Sequence, residues 1–114
     1  MTFWANLRDD NDLHSAIQKS AEDDTFVLIL KHSARCAISS MAKNRLERKA
    51  NSNISYFLLD VIANRALSNQ LSMESGIQHE SPQAFLYSNG KLIDVKSHSA
   101  IDPLEIARQV EATL

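Results

Sequence analysis

The sequence predicts an α/β fold, a four-stranded mixed sheet with helices on both faces, in the order αβαβαββα. Three observations lead there. Two short apolar runs, FVLIL at 26–30 and ISYFLL at 54–59, read as strands covered on both faces. A segment of helical periodicity joins them, which makes a right-handed, parallel crossover. Two further apolar runs meet at Asn89-Gly90, a dipeptide that readily takes the positive φ values of a tight hairpin turn, so the last two strands run antiparallel.

The elements follow in order. DNDLHSAIQKSAED places Leu13, Ala16, Ile17 and Ala21 at helical spacing behind the capping candidates Asp10 and Asn11. TFVLILKH is the first strand. From Cys36 to Ala50, Ile38, Met41, Ala42 and Leu46 form one apolar stripe opposite Lys43, Arg45, Glu47, Arg48 and Lys49, which predicts a second helix. The triplet NSN at 51–53 breaks it, and the next strand ends near Asp60. Ala63, Leu67 and Leu71 share a third helical face, with Gly76 as the stop signal. After the hairpin, Asp102-Pro103-Leu104-Glu105 combines an N-cap residue, a proline at the first helical position and a carboxylate in the first turn. Leu104, Ala107, Val110 and Ile106 are the inward candidates of this last helix.

Length and composition fit one domain spanning 1–114, since 44% hydrophobic and 23% charged residues suffice for a core and argue against wholesale disorder. A net charge of −2 supplies no general attraction to nucleic acid or to an anionic membrane. The apolar runs are too short to span a bilayer, and MTFWANLRDD carries acids where a signal peptide has its apolar core. A soluble, cytoplasmic protein is the expectation. The single cysteine excludes an intramolecular disulfide, and no C-x-x-C or H-x-x-x-H pair is present to build a structural zinc site. Neither a metal nor a tightly bound cofactor is expected.

That cysteine, Cys36, stands where the first strand gives way to the second helix. Most isolated cysteines are buried and inert. A helix start changes the case, because its free backbone N–H groups and the positive end of its dipole favour the thiolate. Arg35, His32 and Lys31 precede it and are candidate cations for the same site. Ser39 follows one helical turn later, where its hydroxyl could donate to the thiolate or simply bond backbone. It cannot attack a mixed disulfide, so an adduct on Cys36 waits for an external thiol. Far along the chain, Ser81-Pro82 precedes the third strand. A cis bond there would hold the Ser81 backbone open beside the second helix, where an extended peptide could pair with it.

Cys36-Ala-Ile-Ser39, the stretch from Gly76 to Pro82 and FLYSNGKLI at 85–93, taken in order, resemble the thioredoxin superfamily. Within it, KHSARCAIS at 31–39 resembles the run leading into Cys-Pro-Ile-Ser in the monothiol bacilliredoxin family. The resemblance implies that Cys36 corresponds to the active cysteine, Ser39 to the family's serine and Pro82 to the superfamily's cis-proline. Ala37 departs from the family's proline and leaves the first helical turn less rigid. The activity implied is removal of bacillithiol from oxidised protein thiols, with bacillithiol as co-substrate and a low-molecular-weight thiol or a partner reductase as the resolving agent. Bacillithiol carries carboxylates and a sugar, so cations are expected nearby, with Lys31, Arg35 and His79 the candidates. Ser81, Pro82 and Arg35 are the substrate-binding candidates.

Two other readings compete. A monothiol glutaredoxin-like protein would use glutathione or help hold an iron–sulfur cluster, but the glycine that usually follows its cysteine and the glycine pair near its third helix are absent here. A non-enzymatic thioredoxin-fold module would use Cys36 as a redox-sensing contact.

Overall fold

A computed structural model describes residues 3–114. The strands are β1 (Ala5–Asn6), β2 (Phe26–His32), β3 (Ile54–Asp60), β4 (Gln83–Ser88) and β5 (Lys91–Ser97). The helices are α1 (Asp10–Glu22), α2 (Ala37–Arg48), α3 (Arg65–Ser75) and α4 (Pro103–Thr113), with a short 3₁₀ turn at His98–Ala100. The sheet order is β1-β3-β2-β4-β5. β2 pairs parallel with β3 and antiparallel with β4, and β4 pairs antiparallel with β5. The expected mixed sheet is therefore present with a fifth strand at its edge. β1 pairs Ala5 and Asn6 with Phe57 and Leu58, and two residues are too few to show a period in sequence.

Strand alternation sorts the interior into two cores. Phe26, Leu28 and Leu30 of β2 face α2 and α4, where they meet Ala42, Leu46, Ile106 and Val110. Val27 and Ile29 face the other way, against Leu13, Ala16, Leu67 and Leu71 of α1 and α3. All seven residues of β2 are buried, the five of the apolar run and, beyond it, the polar Lys31 and His32.

The helix boundaries carry several corrections. Asp9, rather than Asp10 or Asn11, caps α1, because its extended backbone lets Oδ1 accept from Asp12 N at 2.8 Å. In α2 the buried stripe is Ser39, Ala42 and Leu46, while Ile38 and Met41 are 54% and 58% exposed. Ala42 and Leu46 belong to the expected stripe, and Ser39 joins them because its hydroxyl is hydrogen-bonded to His32 and Ser33 N. Ala63 lies exposed ahead of α3, and Gly76 closes that helix at φ 72°. In α4, Ile106 and Val110 point inward while Leu104 is 57% exposed. Asn89 and Gly90 take φ of 54° and 75°, as the hairpin reading requires.

Candidate active site around Cys36

The N-cap of α2 is Cys36 itself, with extended backbone at φ −110° and ψ 118°. Its carbonyl accepts the first helical bond from Ser40 N, and its own N–H donates to Ser33 O, both at 3.1 Å. The thiol makes no capping bond. The half-buried side chain thus sits at the positive end of a 12-residue helix with first-turn N–H groups still available to an anion.

Three hydrogen-bonded ties and one cis peptide shape the surroundings. Val61 N donates to His32 O at 3.0 Å, tying the segment after β3 to the end of β2. Asp60 Oδ1 accepts from Ile62 N and Ala63 N at 2.9 and 3.0 Å, which fixes the turn into α3. Gln83, buried at the start of β4, donates from Nε2 to Gln78 O at 3.0 Å and so holds the loop that carries His79. The Ser81–Pro82 peptide is cis, in the geometry foreseen for this position.

Between these segments lies a cavity of about 330 Å³. Ser33 and Cys36 line it from the β2–α2 loop, Val61 and Ile62 from the end of β3, Arg65, Ser68 and Asn69 from α3, and His79 and Ser81 from the approach to β4. The fold therefore brings Cys36 and Ser81 to one cavity from sequence positions 45 residues apart. The Ser81 hydroxyl is buried with no hydrogen-bond partner among the described residues. Arg35 is exposed and does not line the cavity. The cation there is Arg65, which no sequence motif marked; its only signal is a position in the first turn of α3.

Ser39 is fully buried, and its Oγ accepts Ser33 N at 3.0 Å and lies 2.6 Å from His32 Nδ1. It is engaged there and makes no hydrogen bond to the thiol. Strand alternation explains the partner: His32 projects from β2 toward α2, and Lys31, one residue earlier, projects toward α3. Burial lowers the His32 pKa, with Lys43 adding and Asp60 and Glu47 opposing, so the neutral ring is favoured.

Lys31 is fully buried. Its Nζ donates to Ser68 O at 2.9 Å, Ser72 Oγ at 2.8 Å and His79 Nδ1 at 3.2 Å. Burial pushes its pKa down to about 8. His79 is also shifted down, first by burial and then by the positive charges of Lys31 and Arg65, against Glu80.

Residues 5–106 match the sequence profile of the family described as monothiol bacilliredoxin BrxC. Among solved structures, a thioredoxin-fold protein provisionally assigned as an oxidoreductase superposes with a TM-score of 0.82 at 27% identity, covering 93% of this chain and 92% of that one. Mitochondrial thioredoxin 3 from Saccharomyces cerevisiae gives 0.73 at 14% identity, over 96% and 94% of the two chains. A thioredoxin variant from Halobacterium salinarum gives 0.73 at 16%, over 95% and 88%. The two thioredoxins establish the fold alone, which is thioredoxin-like, with helices on both faces of a mixed sheet. Among the described residues, no helix is long and apolar enough to cross a membrane. The family match spans every strand, the cysteine-capped helix and the cavity beside it, and on that basis the chain belongs to the monothiol bacilliredoxin family.

Proposed function

We propose that the protein removes bacillithiol from S-bacillithiolated protein thiols through a mixed disulfide on Cys36 that an external thiol resolves. The observation supporting this most is the sole cysteine of a bacilliredoxin-family chain at a helix N-cap, opening on a cavity. In the first step the Cys36 thiolate attacks the bacillithiol sulfur of the target's mixed disulfide. That S–S bond breaks, its electron pair leaves with the target sulfur, which takes up a proton, and a Cys36–bacillithiol disulfide forms. In the second step an external thiolate attacks the bacillithiol sulfur and Cys36 leaves as thiolate. The external thiol is the reductant, and its product is a disulfide with bacillithiol.

In this reading Cys36 is the nucleophile, and Ser39 sets the loop that presents it. Ser81 faces the substrate chain from across the cavity, next to the buried Pro82, and Arg35, exposed beside the cysteine, meets the protein partner. The partners are bacillithiolated or otherwise oxidised protein thiols and a low-molecular-weight thiol, in a reducing compartment such as the cytoplasm.

The test is release of bacillithiol from an S-bacillithiolated model protein, followed by mass spectrometry. Wild type should release one equivalent without added thiol and turn over when excess bacillithiol is present, and Cys36→Ser should do neither. Release by Cys36→Ser, or none by wild type, would overturn the proposal.

A further inference from the structure

Lys31 is a buried cation without an anionic partner. Its three Nζ protons go to a carbonyl, a hydroxyl and an imidazole nitrogen, all neutral. No carboxylate among the described residues lies within ion-pair distance of it. Interior ammonium groups ordinarily carry a counter-charge, because an uncompensated one is expensive to desolvate. Two of the residues that touch Lys31 Nζ, Ser68 and His79, also line the cavity beside Cys36. Lys31 itself is fully buried and does not line the cavity, so a negative charge there acts on it through Ser68 and His79.

The cavity wall has matching chemistry. It contains no Asp or Glu, although the chain has 14, and it contains Arg65 and Asn69. An ammonium has protons to give and no lone pair to offer, so Nδ1 of His79 must be the acceptor and the ring's proton resides on Nε2. Lys31 thereby fixes His79 as a hydrogen-bond donor. The buried, unpartnered Ser81 hydroxyl lies on the same wall.

We propose that the cavity beside Cys36 is an anion subsite that selects carboxylate-bearing low-molecular-weight thiols and their disulfides, with Arg65 and His79 as contacts and Lys31 as a positioning residue. This rests on the thiol-exchange reading above and specifies its small substrate. A carboxylate in the cavity meets the Arg65 guanidinium and the His79 Nε2–H, and it supplies the counter-charge that Lys31 lacks. The attacked sulfur is thereby held beside Cys36, while a neutral disulfide finds no such anchor.

The test compares two probes at low ionic strength: dithiobis(nitrobenzoate), which carries carboxylates, and dithiodipyridine, which is neutral at pH 7. The ratio of their second-order rate constants with Cys36 is taken for the folded protein and for the same protein in urea, so that the thiol serves as its own reference. The folded ratio should exceed the unfolded one by roughly tenfold. It should fall severalfold in Arg65→Gln and on adding salt, and stay unchanged in the distant Lys91→Gln. In Lys31→Met the His79 ring ¹⁵N shifts should lose the signature of a fixed Nε2–H tautomer. Equal folded and unfolded ratios, or a ratio indifferent to Arg65→Gln, would overturn the subsite.

Bacillithiol disulfide is the third arm. An anionic preference without a bacillithiol adduct leaves the subsite standing and removes the bacillithiol reading. An adduct without anionic preference does the reverse.

Discussion

Ser39 Oγ lies 2.6 Å from His32 Nδ1, so the serine one turn after Cys36 braces the strand-to-helix loop instead of bonding the thiol. The same oxygen accepts Ser33 N. Replacing it with alanine leaves a buried imidazole nitrogen and a backbone N–H without their partner, which costs about 1–3 kcal/mol. Ser39→Ala should therefore lower the urea midpoint at unchanged slope. An unchanged midpoint with a large loss of Cys36 reactivity would place the hydroxyl on the thiol after all.

Lys31 makes stability depend on pH in a defined direction. Its folded pKa of about 8 lies below the ordinary 10.5, so between these values the unfolded chain holds the proton that the folded chain has lost. Stability from this group is depressed below about pH 8 and recovers as pH rises toward 10.5, by up to about 3 kcal/mol. Lys31→Met removes that dependence. The variant should be at least as stable as wild type at pH 7, and its advantage should shrink steadily up to pH 10. Urea unfolding of both proteins across this range checks it; a constant difference would contradict the assignment.

Gly90 serves the hairpin at a position only glycine suits. Its φ is +75°, and a Cβ added there would meet Ala21 Cβ at 3.3 Å. Its N–H donates to Ser20 Oγ at 2.9 Å, latching the turn to the end of α1. Gly90→Ala should cost about 1–2 kcal/mol from the left-handed backbone alone, read as a lower urea midpoint. No loss would mean that the turn adopts another geometry.

Local chemistry made much of this fold legible. The Asn89-Gly90 turn, the Gly76 stop and the Asp102-Pro103 start each follow from conformations those residues favour, and the structure shows all three. Helix phase was harder. In α2 the polar Ser39 is buried while Ile38 and Met41 are exposed beside the cysteine, because the buried hydroxyl has partners in His32 at the end of β2 and Ser33 N just after it, which apolarity does not register. Two ends of the candidate site were legible in the sequence, Cys36 and the Ser81-Pro82 pair whose serine lines the same cavity. Cys36 is marked by its own chemistry, and the roles of Lys31 and His32 depend on which sheet face each one meets. Arg65 and Asn69 reach the cavity through tertiary folding, and a first-turn arginine carries no motif. Arg35, the cation adjacent in sequence, lies outside the cavity.

Cys36 should form a mixed disulfide that the chain cannot resolve alone, which intact-mass measurement reads out after exposure to bacillithiol disulfide at neutral pH. A single adduct is expected, one bacillithiol less two hydrogens, stable after the reagent is removed and released by added thiol. No adduct on folded protein, or release without any added thiol, would contradict it.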